Sequence, residues 1–153
     1  MRRRLFWLLV ALQALVPLGL IGWNEIALAR GTEVVLRTAP VDPVDLFRGR
    51  YVRLGYEISR LPVEPGTGRG DTVYVALHRE GDVWTGTAAT RTRPAGTFVR
   101  GTYDGSRIAY GIETYYVDED EARRLDQLVG RIDMRIVLDA EGRARISGIE
   151  TVR

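Results

Sequence analysis

PVDPVDLFRGRYVRLGYEIS, residues 40–59, sets a turn directly against the longest alternating run in the chain. Pro40 and Pro43 each fix φ, and Asp42 stands immediately before the second proline, a combination that specifies a turn. Asp42 and Asp45 have the residue types of an acid/base pair. In such a turn, however, their carboxylates serve as acceptors for backbone N–H groups, and that is the reading adopted. From Arg50 to Arg60 the pattern changes to period two. Val52, Leu54, Tyr56 and Ile58 alternate with Arg53, Gly55, Glu57 and Ser59, which predicts one half-buried strand. Tyr51 falls on the polar side. Either a bulge near Gly49 re-aims it, or its ring crosses the rim of the core with the hydroxyl in water.

The composition around this stretch removes several chemistries. The 153 residues include no cysteine, which excludes a disulfide framework, a thiolate nucleophile and a Cys-based zinc site. All 22 basic residues are arginine, so Ser–Lys catalysis, Schiff-base chemistry and a P-loop lysine are excluded too. His78 is the single histidine, and a multi-histidine metal site is not available. The pI of 9.2 belongs to the N-terminus. Residues 1–30 carry Arg2, Arg3, Arg4 and Arg30 against Glu25, a net of +3, while the other 18 arginines face 19 acids. The remainder of the chain therefore has no global attraction for a nucleic acid.

Leu5 to Trp23 is a run of 19 residues without a charge. As a helix it would reach about 28 Å, close to the hydrocarbon thickness of a bilayer. Trp7 and Trp23 stand near its ends, where indoles favour the membrane interface, and Pro17 is tolerated in a spanning helix. Arg2 to Arg4 precede the run, so the positive-inside rule keeps the N-terminus cytoplasmic and places the chain beyond the run outside the cytoplasm. The competing reading is a cleaved signal peptide, because Ala27-Leu28-Ala29 has the small-x-small form of a cleavage site. The apolar run is longer than an ordinary signal core, and the uncleaved single-pass anchor is the expectation. Residues 1–30 are then anchor and juxtamembrane segment, and residues 31–153 an extracytoplasmic domain.

That domain reads as a succession of short strands. Thr32–Thr38 is a β-rich run, and Leu61–Asp71 is a loop by its prolines and glycines. Thr72–Glu80 and Val83–Thr90 form a hairpin pattern around Gly81-Asp82, with Val73, Val75 and Leu77 inward and His78 on the exposed parity. Phe98–Tyr103 and Arg107–Val117 pair around Asp104-Gly105. Ile108, Tyr110 and Ile112 share one face; Glu113 and Tyr115 fall on the other. Glu119–Val129 is an amphipathic helix, opened by the Asp118/Glu121 capping box and stopped by Gly130. Its acidic first turn, Asp118 to Glu121, suits a helix dipole and lacks the alternation of a calcium loop. Ile132–Asp139 alternates with Ile132, Met134, Ile136 and Leu138 inward. A turn at Ala140-Glu141-Gly142 leads into Arg145–Val152. The expectation is a mainly β domain, an antiparallel sandwich or partly open barrel with one short amphipathic helix, preceded by a single transmembrane helix.

Pro-x-Asp-Pro-x-Asp-Leu-x-Arg-Gly-x-Tyr-Val-x-Leu-x-Tyr-Glu, from Pro40 to Glu57, resembles the GDYXXLXY family, named for its Gly-Asp-Tyr-x-x-Leu-x-Tyr signature. Gly49, Tyr51, Leu54 and Tyr56 occupy signature positions, and Pro40, Asp42, Pro43 and Asp45 lead into them. Arg50 stands where the family has aspartate, which argues against an obligatory aspartate chemistry there. Tyr110 to Val117 is a second similar stretch, with Gly111, Glu113 and Tyr116, and the C-terminal strand pair is similar as well. The resemblance implies a membrane-anchored bacterial protein with no reaction assigned. Members are often encoded beside multi-span membrane proteins, which implies a partner of that kind.

The expected function is accordingly that of a binding or accessory domain, with the bilayer as one partner, a multi-span membrane protein as another, and no cofactor or metal. A small hydrolase is the enzymatic alternative. It would need Ser59, Ser106 or Ser147 to approach His78. A third reading places an anionic ligand or lipid headgroup on Arg48, Arg50 and Arg53. Ion pairing of those arginines with Asp42, Asp45 or Glu57 competes with it.

Overall fold

Alternating apolar residues make strands here, but several of the strands end before the alternation does. The structure, a computed structural model, describes residues 6, 13, 15–17, 19, 31–39, 51–116 and 132–151. The chain divides into two compact units, Met1–Gly31 and Thr32–Arg153. In the first, the described residues 6, 13, 15–17 and 19 are helical, and Phe6, Leu15 and Val16 expose large apolar side chains. Among the described residues no helix is long and apolar enough to cross a membrane. The rest of the Leu5–Trp23 segment, residues 40–50 with the turn expected between Pro40 and Pro43, and the helix expected at Glu119–Val129 lie outside the described residues.

The second unit is mainly β, with antiparallel and mixed sheets. Its strands are β1 (Thr32–Ala39), β2 (Tyr51–Arg53), β3 (Gly55–Tyr56), β4 (Thr72–Ala76), β5 (His78–Glu80), β6 (Val83–Thr85), β7 (Ala89–Thr90), β8 (Phe98–Tyr103), β9 (Ile108–Ala109), β10 (Thr114–Tyr116), β11 (Ile132–Leu138) and β12 (Ala144–Thr151). A six-stranded sheet runs β12-β11-β1-β6-β5, with β3 joined to β1. A four-stranded sheet runs β7-β4-β8-β9, and β10 pairs with β2. The antiparallel expectation needs correction, because β1 and β6 are parallel at Leu36↔Trp84 and the isolated bridge Val63↔Ala89 is parallel too.

β1 is the centre of the larger sheet. It pairs antiparallel with β11 from Thr32↔Leu138 to Arg37↔Asp133. Val34 and Leu36 point inward from it and meet Met134, Ile136 and Leu138. The smaller sheet adds Val73, Val75, Val99 and Ile108 to the same core. β11 and β12 shift register between Arg135 and Ile136, where Ser147 is the extra residue and its hydroxyl donates to the Arg135 carbonyl at 3.1 Å.

Four predicted strands are divided. The Arg50–Arg60 run splits into β2, β3 and a 3-10 turn at Glu57–Arg60. Pro62 disfavours helical backbone at the residue before it, and the turn ends at Leu61 with ψ 149°. Tyr56 and Ile58 keep their inward parity, but the turn also carries Ser59 inside. The Thr72–Glu80 arm breaks at Leu77, whose N–H donates to the Thr97 carbonyl at 2.9 Å. Its partner arm breaks at Gly86, where a Cβ would stand 2.4 Å from Val75 Cγ1. The predicted turn at Gly81-Asp82 therefore joins only β5 and β6, while β4 and β7 pair in the other sheet. One hairpin thus supplies both sheets, as strands do when they turn a corner between packed layers. The Arg107–Val117 run is the fourth, divided into β9 and β10.

Candidate functional site

The break between β9 and β10 builds a polar turn held by side-chain and backbone hydrogen bonds. Gly111 takes φ 81°, a left-handed conformation in which a Cβ would be strained. Glu113 closes the turn with its side chain. Oε1 accepts from the Tyr110 N–H at 2.5 Å and Oε2 from the Gly111 N–H at 2.9 Å. The backbone that leaves the turn then pairs with β2: Thr114 lies opposite Arg53, Tyr115 opposite Val52 and Tyr116 opposite Tyr51. The Leu54 N–H donates to the Glu113 carbonyl at 2.9 Å and extends this ladder.

Two buried tyrosines complete the connection. Tyr56 Oη donates to the Ile112 carbonyl at 3.0 Å, and Tyr110 Oη donates to the Ile58 carbonyl at 2.7 Å. Each ring thus reaches across to the backbone of the other segment. Burial pushes both phenols well above the ordinary tyrosine range, and the nearby Glu113 carboxylate adds to the effect. They are neutral donors at physiological pH. Of the residues singled out in sequence, Tyr51, Leu54, Tyr56, Gly111, Glu113 and Tyr116 are brought together here. Pro40, Asp42, Pro43, Asp45, Arg48, Gly49 and Arg50 lie outside the described residues. Arg53 is exposed on β2.

The GDYXXLXY protein family model matches residues 13–149. The chain belongs to the GDYXXLXY family. No curated protein and no solved structure matches it. In this GDYXXLXY domain, the stretch that carries the signature and the second similar stretch are two halves of one clasp.

Two grooves flank the clasp. One, of about 390 Å³, is lined by Leu54, Tyr56, Ser59, Arg60, Arg107 and Glu113 among others. The other, of about 500 Å³, lies between β8, the Tyr110–Glu113 turn and the start of β12. Two of the serines considered for hydrolysis are engaged elsewhere. Ser106 donates to Asp104 Oδ1 at 2.9 Å and Ser147 to the Arg135 carbonyl. Ser59 is buried, and His78 is exposed on β5 opposite Thr85. Among the described residues no hydrogen bond joins His78 to a serine. Backbone N–H groups of Arg107 and Ser106 hold the Asp104 carboxyl down to about 2, so it serves the Asp104-Gly105 turn as a fixed acceptor. Among the described residues no group of three or more His, Asp or Glu side chains could hold a metal ion.

Asp133 on β11 is the polar residue that alternation alone misses. It is 6% exposed, and its nearest cation, Arg37 Nε, stands 3.9 Å from Oδ1. Desolvation raises its carboxyl above the ordinary range, Arg37 offsets part of this, and Glu57 and Glu150 add to the rise. Period two places Asp133 outward, between Ile132 and Met134. No sequence signal marks its burial.

Proposed function

We propose that this protein is a membrane-anchored, extracytoplasmic binding domain whose partner is an integral membrane protein. The observation that carries the reading is the uncharged Leu5–Trp23 run behind Arg2 to Arg4, together with the exposed Phe6, Leu15 and Val16 on its helical residues. Large apolar side chains exposed on a helix are stable against lipid or a partner helix and costly against water. The domain is read as a sandwich, supported by two sheets that share one core, with a hairpin passing between them. The clasp serves to hold the domain's surface in one shape, because its polar atoms are committed to internal bonds.

Family membership supports the partner, since the resemblance implies proximity to multi-span membrane proteins. Crosslinking in native membranes, followed by purification through the domain, tests it. The expected product is a reproducible adduct with one integral membrane protein, diminished by Arg53→Glu and by a polar replacement within Leu5–Trp23. Recovery of no membrane protein above background overturns the reading. Protease accessibility from the outer side of the membrane tests the orientation, and sequencing the mature N-terminus separates an anchor from a cleaved signal peptide.

A further inference from the structure

The groove between β8 and the start of β12 collects arginines that are far apart in sequence. Arg100 and Thr102 lie two residues apart on β8 and are both exposed, while Gly101 between them is buried. Arg143 and Arg145 flank Ala144 at the start of β12 and line the same groove. The two strands meet because the Arg100 N–H donates to the Gly142 carbonyl at 2.7 Å. Arg93 secures the same turn by donating to the Ala140 carbonyl at 2.7 Å while its guanidinium lies 4.8 Å from the centre of the Phe98 ring.

The charges of this groove do not cancel. Arg143 is engaged by Asp139 at 3.2 Å and by Glu141 at 3.7 Å. Arg100 and Arg145 make no ion pair among the described residues. Glu113 is the carboxylate among the described residues lining the groove, and both its oxygens are held by the N–H groups of Tyr110 and Gly111. Two arginines with uncommitted donors therefore line one concave surface from two strands, and Thr102 lines it with them.

We propose that this groove binds a phosphate-class oxyanion, with Arg100 and Arg145 as its charged ligands and Thr102 as a hydroxyl donor. Guanidinium forks make paired, charge-assisted hydrogen bonds to such oxygens. Two forks and a hydroxyl offer more donors than the two oxygens of one carboxylate readily use, while a phosphate monoester presents three terminal oxygens and up to two charges. The groove's volume of about 500 Å³ suits a small phosphate ester or the headgroup of an anionic phospholipid. Oxyanion binding here does not depend on an integral membrane partner, and it stands or falls independently of one.

The full-length chain in phosphatidylcholine nanodiscs is titrated calorimetrically with inorganic phosphate, glycerol phosphate and acetate at constant ionic strength. Hydrogen exchange at residues 100–102 and 143–145 is compared between phosphatidylcholine and phosphatidylglycerol nanodiscs. Binding of glycerol phosphate in preference to acetate, weakened about tenfold by Arg100→Gln and again by Arg145→Gln, identifies a soluble phosphate ligand. Protection that appears only with phosphatidylglycerol and disappears in the double variant identifies a lipid headgroup. Arg69→Gln, outside the groove, leaves both signals unchanged. Thr102→Val gives a charge-neutral second variant on the same strand, and thermal unfolding checks that each variant is folded. The proposal is overturned if acetate binds as tightly as phosphate, or if neither signal responds to Arg100 and Arg145.

Discussion

Tyr56 donates its hydroxyl to the carbonyl of Ile112, 56 residues further along the chain, in a buried hydrogen bond of 3.0 Å. Tyr110 returns the contact by donating to Ile58 at 2.7 Å. Removing either hydroxyl leaves a buried carbonyl short of a partner while sparing the ring. Tyr56→Phe and Tyr110→Phe are each expected to cost about 1–3 kcal/mol of unfolding free energy. The two bonds join the same pair of segments, so a double-mutant cycle should show coupling beyond additivity. Denaturant unfolding of the four proteins in one detergent provides the measurement. Additive losses would assign the bonds to independent sites.

The same phenols predict alkaline unfolding. Their folded pKa values lie above the unfolded value, so below the unfolded pKa, roughly 10, both states keep the proton and the shift has no effect. As pH rises past that point the unfolded state releases protons that the folded state retains, and stability falls. Melting temperature followed upward from pH 9 should decline more shallowly in Tyr56→Phe than in the native chain. Equal slopes would remove Tyr56 from the account.

Glu113 can be tested at its two oxygens. Glu113→Ala leaves the N–H groups of Tyr110 and Gly111 without their acceptor and is expected to cost about 1–3 kcal/mol. Glu113→Gln retains one carbonyl oxygen and should lose less. Amide exchange at Leu54, bonded to the Glu113 carbonyl, reports whether the β2–β10 ladder loosens with the turn. An unchanged Leu54 rate in the alanine variant would show that the ladder stands without the cap.

Gly86 stands where the hairpin passes between sheets. A Cβ there would lie 2.4 Å from Val75 Cγ1 and 3.0 Å from the Ala76 carbonyl oxygen. Val75 is fully buried and cannot yield freely. Gly86→Ala is expected to destabilise by about 1–3 kcal/mol through overpacking, read as a lowered melting temperature. Gly81→Ala tests a different effect, because its added methyl meets open space and only its φ of 64° is strained.

Asp133 gives a pH dependence of the sign usual for a buried acid. Its folded pKa is raised, so between the unfolded value of 3.8 and the folded one the native state holds a proton that the unfolded state has lost. Stability therefore falls as pH rises through that window, and the ionised group is a cost above it. Asp133→Asn should flatten this dependence and unfold no earlier than the native chain at neutral pH, as thermal melts followed upward in pH from the unfolded carboxylate value would check. A variant less stable at pH 7 would show that the Arg37 pairing outweighs desolvation.

Much of the β architecture was determined by sequence alone. Period-two alternation identifies Val73, Val75 and Leu77, then Ile108, Tyr110 and Ile112, then Ile132, Met134, Ile136 and Leu138 as inward sets, and all are buried except Ile132, which is half-buried. Turn chemistry located the bends at Gly81-Asp82, Asp104-Gly105 and Ala140–Gly142, and the 40–59 signature pointed to the family. These are local signals, carried by residues within a few positions of each other. Tertiary structure decided where alternating runs change sheets, because the same pattern suits either sheet until a close contact, as at Gly86, or a new hydrogen-bond partner, as at Leu77, ends the pairing. It also decided that β6 lies parallel to β1, that Asp133 is buried, and that Arg100 and Arg145 share a groove. The partners in the tyrosine clasp stand 52 and 56 residues apart, and closing loops of that length leaves no mark in either segment on its own.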